Sequence, residues 1–163
     1  MTNGKIIIRE IKKEDNPQIE QVIKSCFPEF DIPLTGTAYE DSETTKMFES
    51  YNGDREVYYV LDLNGKVLGG AGIKALKDGD GSVCELQKMY FSPEIRGMGF
   101  GKFLFQKCLY TAKKLGYKKC YIETANQLKA AIHIYETYGF KHLREPLGNT
   151  GHYSCGIWMI KDL

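Results

Sequence analysis

A run of three glycines at alternate positions, within RGMGFGK at residues 96–102, is the most constraining feature of this sequence. Glycine costs roughly 0.5–1 kcal/mol relative to alanine inside a helix or strand, so this spacing indicates a turn or a close backbone approach. The heptad follows the strand-like stretch SVCELQKMYFSP (82–93) and precedes an amphipathic helical pattern that begins near Leu104. It therefore predicts a loop that joins a strand to the N-terminus of a helix.

A glycine loop in this position is suited to binding an anion. Backbone N–H groups freed by the turn, together with those at the helix N-terminus, can point at a phosphate, and a side chain at Gly99 or Gly101 would block its approach. Arg96 and Lys102 would add positive charge, the first as a planar fork and the second as a point charge. The heptad by itself is equally compatible with a tight turn flanked by two solvated cations.

Two common nucleotide-binding loops do not fit these residues. A GxGxxG loop that starts at Gly97 would require glycine at Lys102. A GxxxxGK[ST] loop would require glycine at Arg96 and a hydroxyl at Phe103. The chain also shows one late strand–helix–strand crossover, which disfavours a doubly wound nucleotide-binding fold.

Hydrophobic periodicity predicts a series of strands and helices along the chain. The Asn64–Gly65 pair is a strong hairpin signal, and Gly116 and Gly139 are placed to end two helices. In the strand over 82–93, the apolar side chains change from even to odd positions, which predicts a β-bulge near residues 87–89. The predicted elements are strands at 5–11, 82–93, 117–124 and 153–163, a hairpin at 56–76, and helices at 13–27, 41–51, 104–115 and 128–138.

The composition is that of an ordinary globular protein. Hydrophobic residues make up 42% and charged residues 26%, which excludes disordered and fibrous classes. Lys+Arg (22) and Asp+Glu (21) balance, so we expect no nucleic-acid or membrane-surface partner. No apolar run approaches the ~20 residues of a membrane span, and the apolar stretch near the N-terminus is too short for a signal peptide. We therefore expect a cytoplasmic protein with one domain over residues 1–163.

The five cysteines and three histidines show no metal-binding spacing. The cysteines lie far apart and form no CxxC pair, so we expect neither a zinc site nor a disulfide framework. Reduced, buried thiols are the default interpretation.

The residues from the bulged strand through the following helix resemble one known family. RGMGFG matches the pattern R/Q-x-x-G-x-G/A, the pyrophosphate loop of the GNAT superfamily of N-acetyltransferases. ELQKMYFSPEIRGMGFGKFL resembles that family's fourth strand, loop and third helix, and AAIHIYETYGF resembles its A-x-x-x-Y-x-x-x-GF signature. The resemblance implies an α/β (α+β) fold, in which helices cover both faces of a mixed, mostly antiparallel sheet with a splayed, bulged central strand.

The same resemblance implies acetyl-CoA as cosubstrate and no metal. The pyrophosphate would lie on the backbone of 97–102, and the pantetheine would run along the bulged strand at Met89 and Phe91. A backbone N–H of Met89 or Tyr90 would face the thioester oxygen and stabilise the oxyanion. Many relatives carry a cofactor-contacting asparagine at the position of Leu128, with Asn126 nearby here. The implied cofactor-binding residues are Met89, Tyr90, Phe91, Arg96, Gly97, Met98, Gly99, Phe100, Gly101, Lys102 and Asn126.

Two residues match catalytic positions of the family. Glu85 is placed where many GNAT enzymes have a glutamate base, which would take the proton of the amine directly or through water. Tyr135 matches the helix tyrosine that protonates the departing CoA thiolate. An exposed strand carboxylate and a core aromatic are the respective alternatives, and the tyrosine ring can pack while its hydroxyl faces the cleft.

The acceptor is the least defined part of this hypothesis. The acidic segment 28–54, with few cations, would suit a cationic amine, although a solvated acidic face is an equally good interpretation. His152 and Asn149 could border the acceptor site, with a non-catalytic turn as the alternative. We expect an enzyme that acetylates a primary amine of a small molecule or peptide. A homodimer through the terminal strands is a further hypothesis. A non-catalytic acyl-CoA-binding or regulatory module with the same fold is the second hypothesis.

Overall fold

A seven-stranded mixed sheet organises the computed structural model, which describes residues 4–163. The strands lie in the order β1-β2-β3-β4-β5-β7-β6; β4 and β5 run parallel, and the other neighbouring pairs run antiparallel. The strands are β1 (Ile6–Glu10), β2 (Val57–Leu63), β3 (Lys66–Ala75), β4 (Val83–Phe91), β5 (Lys119–Thr124), β6 (Lys141–His142) and β7 (Ile157–Asp162). The helices are α1 (Asn16–Glu29), α2 (Met47–Ser50), α3 (Phe100–Lys114) and α4 (Lys129–Thr137).

Helices cover both faces of the sheet, as the fold class requires. On one face, α3 contributes Leu104, Phe105 and Cys108 to a core that also includes Tyr135 of α4. On the other face, the apolar side of α1 packs with Met47 of α2 against β2 and β3. Among residues 4–163, no helix has the length and apolar character needed to cross a bilayer.

The segment predicted as one helix at 41–51 forms two short pieces, a 3₁₀ turn at Ser42–Thr45 and the four-residue α2. Threonine hydroxyls compete here for the backbone acceptors that a helix would use. Thr44 Oγ1 donates to the carbonyl of Ala38 at 2.6 Å, and Thr45 Oγ1 donates to that of Ser42 at 3.0 Å. At the other end of the chain, the last strand begins at Ile157 rather than at residue 153.

The predicted β-bulge is present in β4. Gly70 pairs with Tyr90 and Gly72 pairs with Gln87, so the one residue between the glycines faces two residues on β4. The first of these two, Lys88, has a φ of 52°, in the left-handed region. The extra residue shifts the side-chain alternation, which is the physical reason for the change of apolar phase in the sequence.

The sheet splays beside this bulge. The parallel pairing of β4 with β5 runs from Val83–Lys119 to Glu85–Tyr121 and ends there, although β4 continues to Phe91 and β5 to Thr124. A gap therefore opens between the C-terminal halves of two central strands, as the crossover and the phase break predicted.

Tyr58 on β2 supports the bulge from the neighbouring strands. Its hydroxyl donates to the carbonyl of Lys88 at 2.7 Å. A Cβ added at Gly70 or Gly72 would come within 2.6 Å of the Tyr58 ring, so these two positions of β3 have no room for a side chain. The glycines of β3 thus let a buried tyrosine cross the strand and reach the bulge.

Candidate active site

The glycine loop turns the chain from β4 into α3. Gly97 and Gly99 have φ angles of 75° and 87°, which glycine adopts readily, and Gly99 is the N-cap of α3. A Cβ added at either position would meet no protein atom within 4 Å. Within the described chain, the N–H groups of residues 97–102 donate to no protein acceptor. A continuous run of backbone donors is therefore available at the N-terminus of a 15-residue helix.

Arg96, which was predicted to bind the cofactor, has its guanidinium occupied by the protein. Nη2 pairs with Glu29 Oε1 at 2.9 Å, at the end of α1. Nε and Nη2 also donate to the carbonyl of Phe91, at 3.0 and 2.7 Å. The guanidinium carbon lies 4.8 Å from the centre of the Phe30 ring. Arg96 thus ties the glycine loop to α1 and to the end of β4.

A cleft opens where β4 and β5 separate. Including its mouth to solvent, it encloses about 580 Å³. Its walls come from the two strands, from α4, from the segment before α2 and from the loop before β7. The titratable side chains among its lining residues are Glu85, Lys88, Tyr90, Glu123, Tyr135, His152 and Cys155.

Glu85 lies at the floor of the cleft, at the last position where β4 pairs with β5. It is 3% exposed, so the alternative interpretation of Glu85 as an exposed strand carboxylate does not hold. Burial, and next the charge of Glu123, raise the pKa of Glu85 to about 7, against the opposing effect of His152 and Lys88. A carboxyl group with this pKa exchanges protons near neutral pH, as a general base requires.

Tyr135 lies on the α4 wall of the same cleft. Its ring packs against Phe105, with 5.4 Å between ring centres, and against Phe140 at 6.1 Å. Among residues 4–163, the Tyr135 hydroxyl has no protein hydrogen-bond partner. In the described residues every fully buried side-chain oxygen or nitrogen does have one, so this hydroxyl is not fully buried and reaches the open cleft that Tyr135 lines. Burial raises the pKa of the phenol, which stays protonated at neutral pH. The ring of Tyr135 therefore packs in the core while its hydroxyl faces the cleft.

An ion-pair cluster around the buried Lys88 ammonium lies beside Glu85. The Lys88 side chain is 2% exposed, and its Nζ lies 3.3 Å from Asp41 Oδ2 and 3.5 Å from Glu43 Oε2. His152 Nε2 lies 2.7 Å from the same oxygen of Asp41. Burial alone would lower the pKa of His152, but the hydrogen bond and charge of Asp41 raise it above its usual value. This cluster joins the bulge to the segment before α2 and to the loop before β7.

Glu123 is the second carboxylate in the cleft. It follows Tyr121 by two residues on β5, so its side chain lies on the same face of the sheet as those of Tyr121 and Glu85. Thr150 Oγ1 lies 2.8 and 2.6 Å from the two carboxylate oxygens of Glu123. Lysine, arginine and histidine side chains in the described structure form no ion pair with it.

The other predicted cofactor residues lie in two groups. Met89 and Tyr90 line the cleft after the bulge, and the Phe91 ring lies beneath Gly101, 3.4 Å from a Cβ added there. Met98 and Lys102 are exposed and Phe100 is half-buried around the first turn of α3. Asn126 lies at the surface before α4, where its side-chain oxygen accepts a hydrogen bond from Lys129 Nζ at 3.0 Å.

Sequence reasoning missed Lys88, Glu123 and Cys155 as cleft residues. Lys88 could have been identified from the sequence, because it is a charged residue at the phase break of β4. The period-2 alternation of β5 places Glu123 on the same face as Tyr121, but only the parallel register with β4 brings that face to Glu85. The sequence left open whether His152 borders the substrate site or belongs to a non-catalytic turn. In the structure its side chain lines the cleft. In the described residues, no group of three or more His, Cys, Asp or Glu side chains has an arrangement suited to a metal ion.

Comparisons with known proteins point to one family. The Acetyltransferase (GNAT) family model matches residues 16–140. The uncharacterized N-acetyltransferase YjgM of Escherichia coli is 37% identical over 158 residues, which cover 96% of this chain and 95% of that protein. An uncharacterized N-acetyltransferase of Schizosaccharomyces pombe is 27% identical over 143 residues, 86% of each protein.

Solved structures share the fold. A GNAT-family acetyltransferase from Staphylococcus aureus Mu50 superposes with a TM-score of 0.83 at 20% identity, over 97% of this chain and 99% of that chain. The structure of yncA from Salmonella typhimurium with its cofactor acetyl-CoA has a TM-score of 0.75 at 18% identity, over 97% and 94% of the two chains. At these low identities the solved structures show a shared fold only. Membership of the family rests on the match over residues 16–140 and on the E. coli relative. The chain belongs to the GNAT family of acetyltransferases.

Proposed function

We propose that this protein is an acetyl-CoA-dependent N-acetyltransferase, with one catalytic domain over residues 1–163, that transfers acetyl directly to a primary amine of a small molecule or peptide. The observation that carries the proposal is the convergence of two groups on one cleft. Glu85, with a pKa near neutrality, and the free hydroxyl of Tyr135 line the same opening beside the bulge. A base, Glu85, and an acid, the Tyr135 hydroxyl, would then lie on either side of the acetyl-CoA thioester.

The glycine loop fits the pyrophosphate of acetyl-CoA. The N–H groups of 97–102 have no protein acceptor in the described residues. Gly97 and Gly99 adopt positive φ angles, which favour glycine, and they carry no side chain that would block the approach of a phosphate. Backbone donors at a helix N-terminus bind phosphate oxygens through hydrogen bonds and the helix dipole. We assign the binding to this backbone, with Arg96 holding the loop in place through Glu29 and Lys102 adding a solvent-screened charge.

The open edge of β4 fits the pantetheine arm. Ser92 N donates to the carbonyl of Leu68 at 2.8 Å, so the alternation of an antiparallel ladder directs the N–H of Phe91 away from β3. The Phe91 carbonyl, which Arg96 binds, points the same way. Tyr90 pairs with Gly70, so its N–H faces β3. The Lys88 carbonyl accepts from Tyr58, so the Met89 N–H of the same planar peptide points away from Tyr58, which favours Met89 over Tyr90 as the oxyanion donor.

Glu85 and Tyr135 then carry the protons of the reaction. Acetyl-CoA supplies an activated acetyl group when bound. Glu85 takes a proton from the ammonium form of the acceptor, directly or through water, and the freed nitrogen forms the new bond to the acetyl carbon as the carbon–sulfur bond breaks. The Tyr135 hydroxyl gives its proton to the leaving sulfur. The second proton of the acylated nitrogen passes through solvent to the tyrosinate, and Glu85 releases its own proton to solvent.

The cysteines support direct transfer. Cys155 lines the cleft, but burial, and next the charges of Glu123 and Glu85, raise the pKa of its thiol to about 12. A thiol with this pKa is protonated at neutral pH and is a poor nucleophile. An acyl-enzyme on Cys155 is therefore disfavoured.

Gly99→Ala tests the cofactor loop, with Gly116→Ala as a matched control. Both glycines have φ near 90° and no protein atom within 4 Å of an added Cβ, and they lie at opposite ends of α3. The two variants should lose similar stability, about 1 kcal/mol, because alanine is strained at positive φ. Calorimetry should show at least tenfold weaker CoA binding for Gly99→Ala alone. Equal CoA affinities in the two variants would contradict the site.

Glu85→Gln tests the base. CoA affinity should be retained, whereas turnover at pH 7 should fall by about 10²–10⁴-fold. Wild-type activity should rise as the pH passes about 7, because the carboxylate form is the base, and the variant should lack this rise. Glu145→Gln, at an exposed glutamate, is the control. The release of CoA, measured over a panel of amines, gives the turnover and the pH dependence of each protein. A folded protein that binds CoA but acetylates none of them would favour the non-catalytic module.

The same substitution should stabilise the protein at high pH. The folded pKa of Glu85, about 7, is above its ordinary value of 4.5, so wild-type stability is lost as the pH rises from 4.5 through 7. This difference corresponds to about 3 kcal/mol. Urea unfolding should show Glu85→Gln and wild type to be alike at pH 4 and the variant to be more stable at pH 8. A constant difference at both values would rule out a buried, ionising Glu85.

Tyr135→Phe tests the acid, with Tyr138→Phe as control. Both tyrosines are on α4 or its end and pack against Phe105, but Tyr138 lies outside the cleft and its hydroxyl accepts from Gln106. Tyr135→Phe should fold and bind acetyl-CoA, yet turn over about 10²-fold more slowly. An acyl donor with a more acidic leaving thiol should reduce the defect. If both variants turn over at the wild-type rate, solvent supplies the proton.

A further inference from the structure

We propose that Glu123 holds the ammonium group of the acceptor beside Glu85, and that the enzyme consequently prefers amines without a carboxylate next to the nitrogen. This inference rests on the proposed function, because it concerns the second substrate of the same cleft. It adds a binding residue that the family resemblance did not supply, and it narrows the class of acceptor.

The ion pairs of the cleft carry the argument. Four charged or ionisable side chains other than cysteine and tyrosine line it: Glu85, Lys88, Glu123 and His152. Asp41 pairs with both Lys88 and His152, at 3.3 and 2.7 Å. Across residues 4–163, Glu85 and Glu123 take part in no ion pair. The cations of the cleft are thus already satisfied, whereas its two carboxylates are not.

Glu85 shows that this pair of carboxylates lacks a cation of its own among the described residues. Its side chain is more than nine-tenths buried and opens into the cleft, where Gln87 gives the carboxylate a neutral side-chain hydrogen bond that leaves its charge uncompensated. A buried carboxylate without an ionic partner is costly in its ionised form, and a cation between two such groups offsets that cost. The substrate of this reaction arrives with a positive nitrogen, which matches the missing charge.

Thr150 places Glu123 for this role. Its hydroxyl lies within 2.8 Å of both carboxylate oxygens, and it also accepts the N–H of His152 at 3.2 Å. A neutral donor of this kind fixes the direction of the carboxylate but leaves its charge uncompensated. Glu123 therefore stays available to an ammonium, which can donate to both carboxylates in turn as its proton passes to Glu85.

The same charges oppose an α-carboxylate on the acceptor. An amino acid would bring a third carboxylate beside Glu85 and Glu123. Lys88 and His152, the cations able to receive it, are both bound to Asp41. Like charges at close range in a partly buried site disfavour binding. We expect the decarboxylated amine to be used at least tenfold better than the amino acid.

The test compares matched acceptors with the wild-type protein and saturating acetyl-CoA. The acceptors are ethanolamine with serine, histamine with histidine, and alaninamide with alanine. The ratio of kcat/KM within each pair should exceed ten in favour of the acceptor without a carboxylate. Ratios near one would overturn the inference while leaving the proposed function intact, whereas no acetylation of any amine would overturn the proposed function itself.

Glu123→Gln supplies a second readout, because glutamine keeps an oxygen for the Thr150 hydrogen bond. KM for the amines should rise at least tenfold, with a smaller change in kcat, and the ratio within each pair should fall. The rise of kcat/KM near pH 7 should move to lower pH, because the charge of Glu123 no longer opposes ionisation of Glu85. The other titratable or charged groups around Glu85 are Asp41, Tyr51, Lys74, Lys88, Tyr121, His152 and Cys155, and they are unchanged in this variant.

Thr150→Val separates this role from a structural one. It removes the hydrogen bond that fixes the loop before β7 but keeps both carboxylates. If Glu123 acts on the ammonium, Thr150→Val should raise KM for the amines less than Glu123→Gln does, and the rise of kcat/KM near pH 7 should stay at its wild-type position, because both carboxylate charges remain. If Glu123 only anchors the loop, Thr150→Val should reproduce the changes in Glu123→Gln, and the inference would be wrong.

Discussion

The bulge at Lys88 is the constraint on which the rest of this structure depends. A left-handed, non-glycine residue costs about 1–2 kcal/mol, and here buried contacts offset that cost. Tyr58 donates to the Lys88 carbonyl, and the Lys88 ammonium pairs with Asp41 and Glu43. Because the bulge turns β4 away from β5 after Glu85, it creates both the cleft and an unpaired strand edge. One local distortion thus provides the place for the ligand and exposes the backbone that would bind it.

The electrostatics of the cleft follow from what this distortion buries. Lys88 and His152 share Asp41, which leaves Glu85 close to a second carboxylate and shielded from water. Burial and repulsion favour the protonated form of Glu85, so its pKa lies near the pH at which an amine must be deprotonated. The same environment makes the ionised enzyme less stable above neutral pH. Stability and reactivity therefore oppose each other at one side chain, as is usual for functional sites.

The glycine loop shows how tertiary contacts reassign a side chain. Arginine before a phosphate loop suggests a direct ligand, but here Glu29 and the Phe91 carbonyl occupy its guanidinium. In the proposed cofactor site the backbone N–H groups of the loop, rather than its cations, would bind the pyrophosphate, and these donors are not used by Arg96. Glu29 belongs to the acidic segment whose charges suited an amine, and it serves instead to hold α1 against the loop. Of that segment, Asp41 and Glu43 reach the bulge.

The sequence by itself determined the features that depend on local periodicity and turn chemistry. These include the strands and main helices, the Asn64–Gly65 hairpin, the phase break in β4, and the strand–loop–helix unit with its Glu85 and Tyr135 matches. The tertiary structure decided what depends on contacts between distant segments: the depth at which Glu85 is buried, the partner of Arg96, and the meeting of Lys88, Asp41 and His152. Glu123 belongs to this second group. Alternation along β5 fixes its face, but the parallel register with β4 brings that face to Glu85, and no pattern within either strand encodes that register.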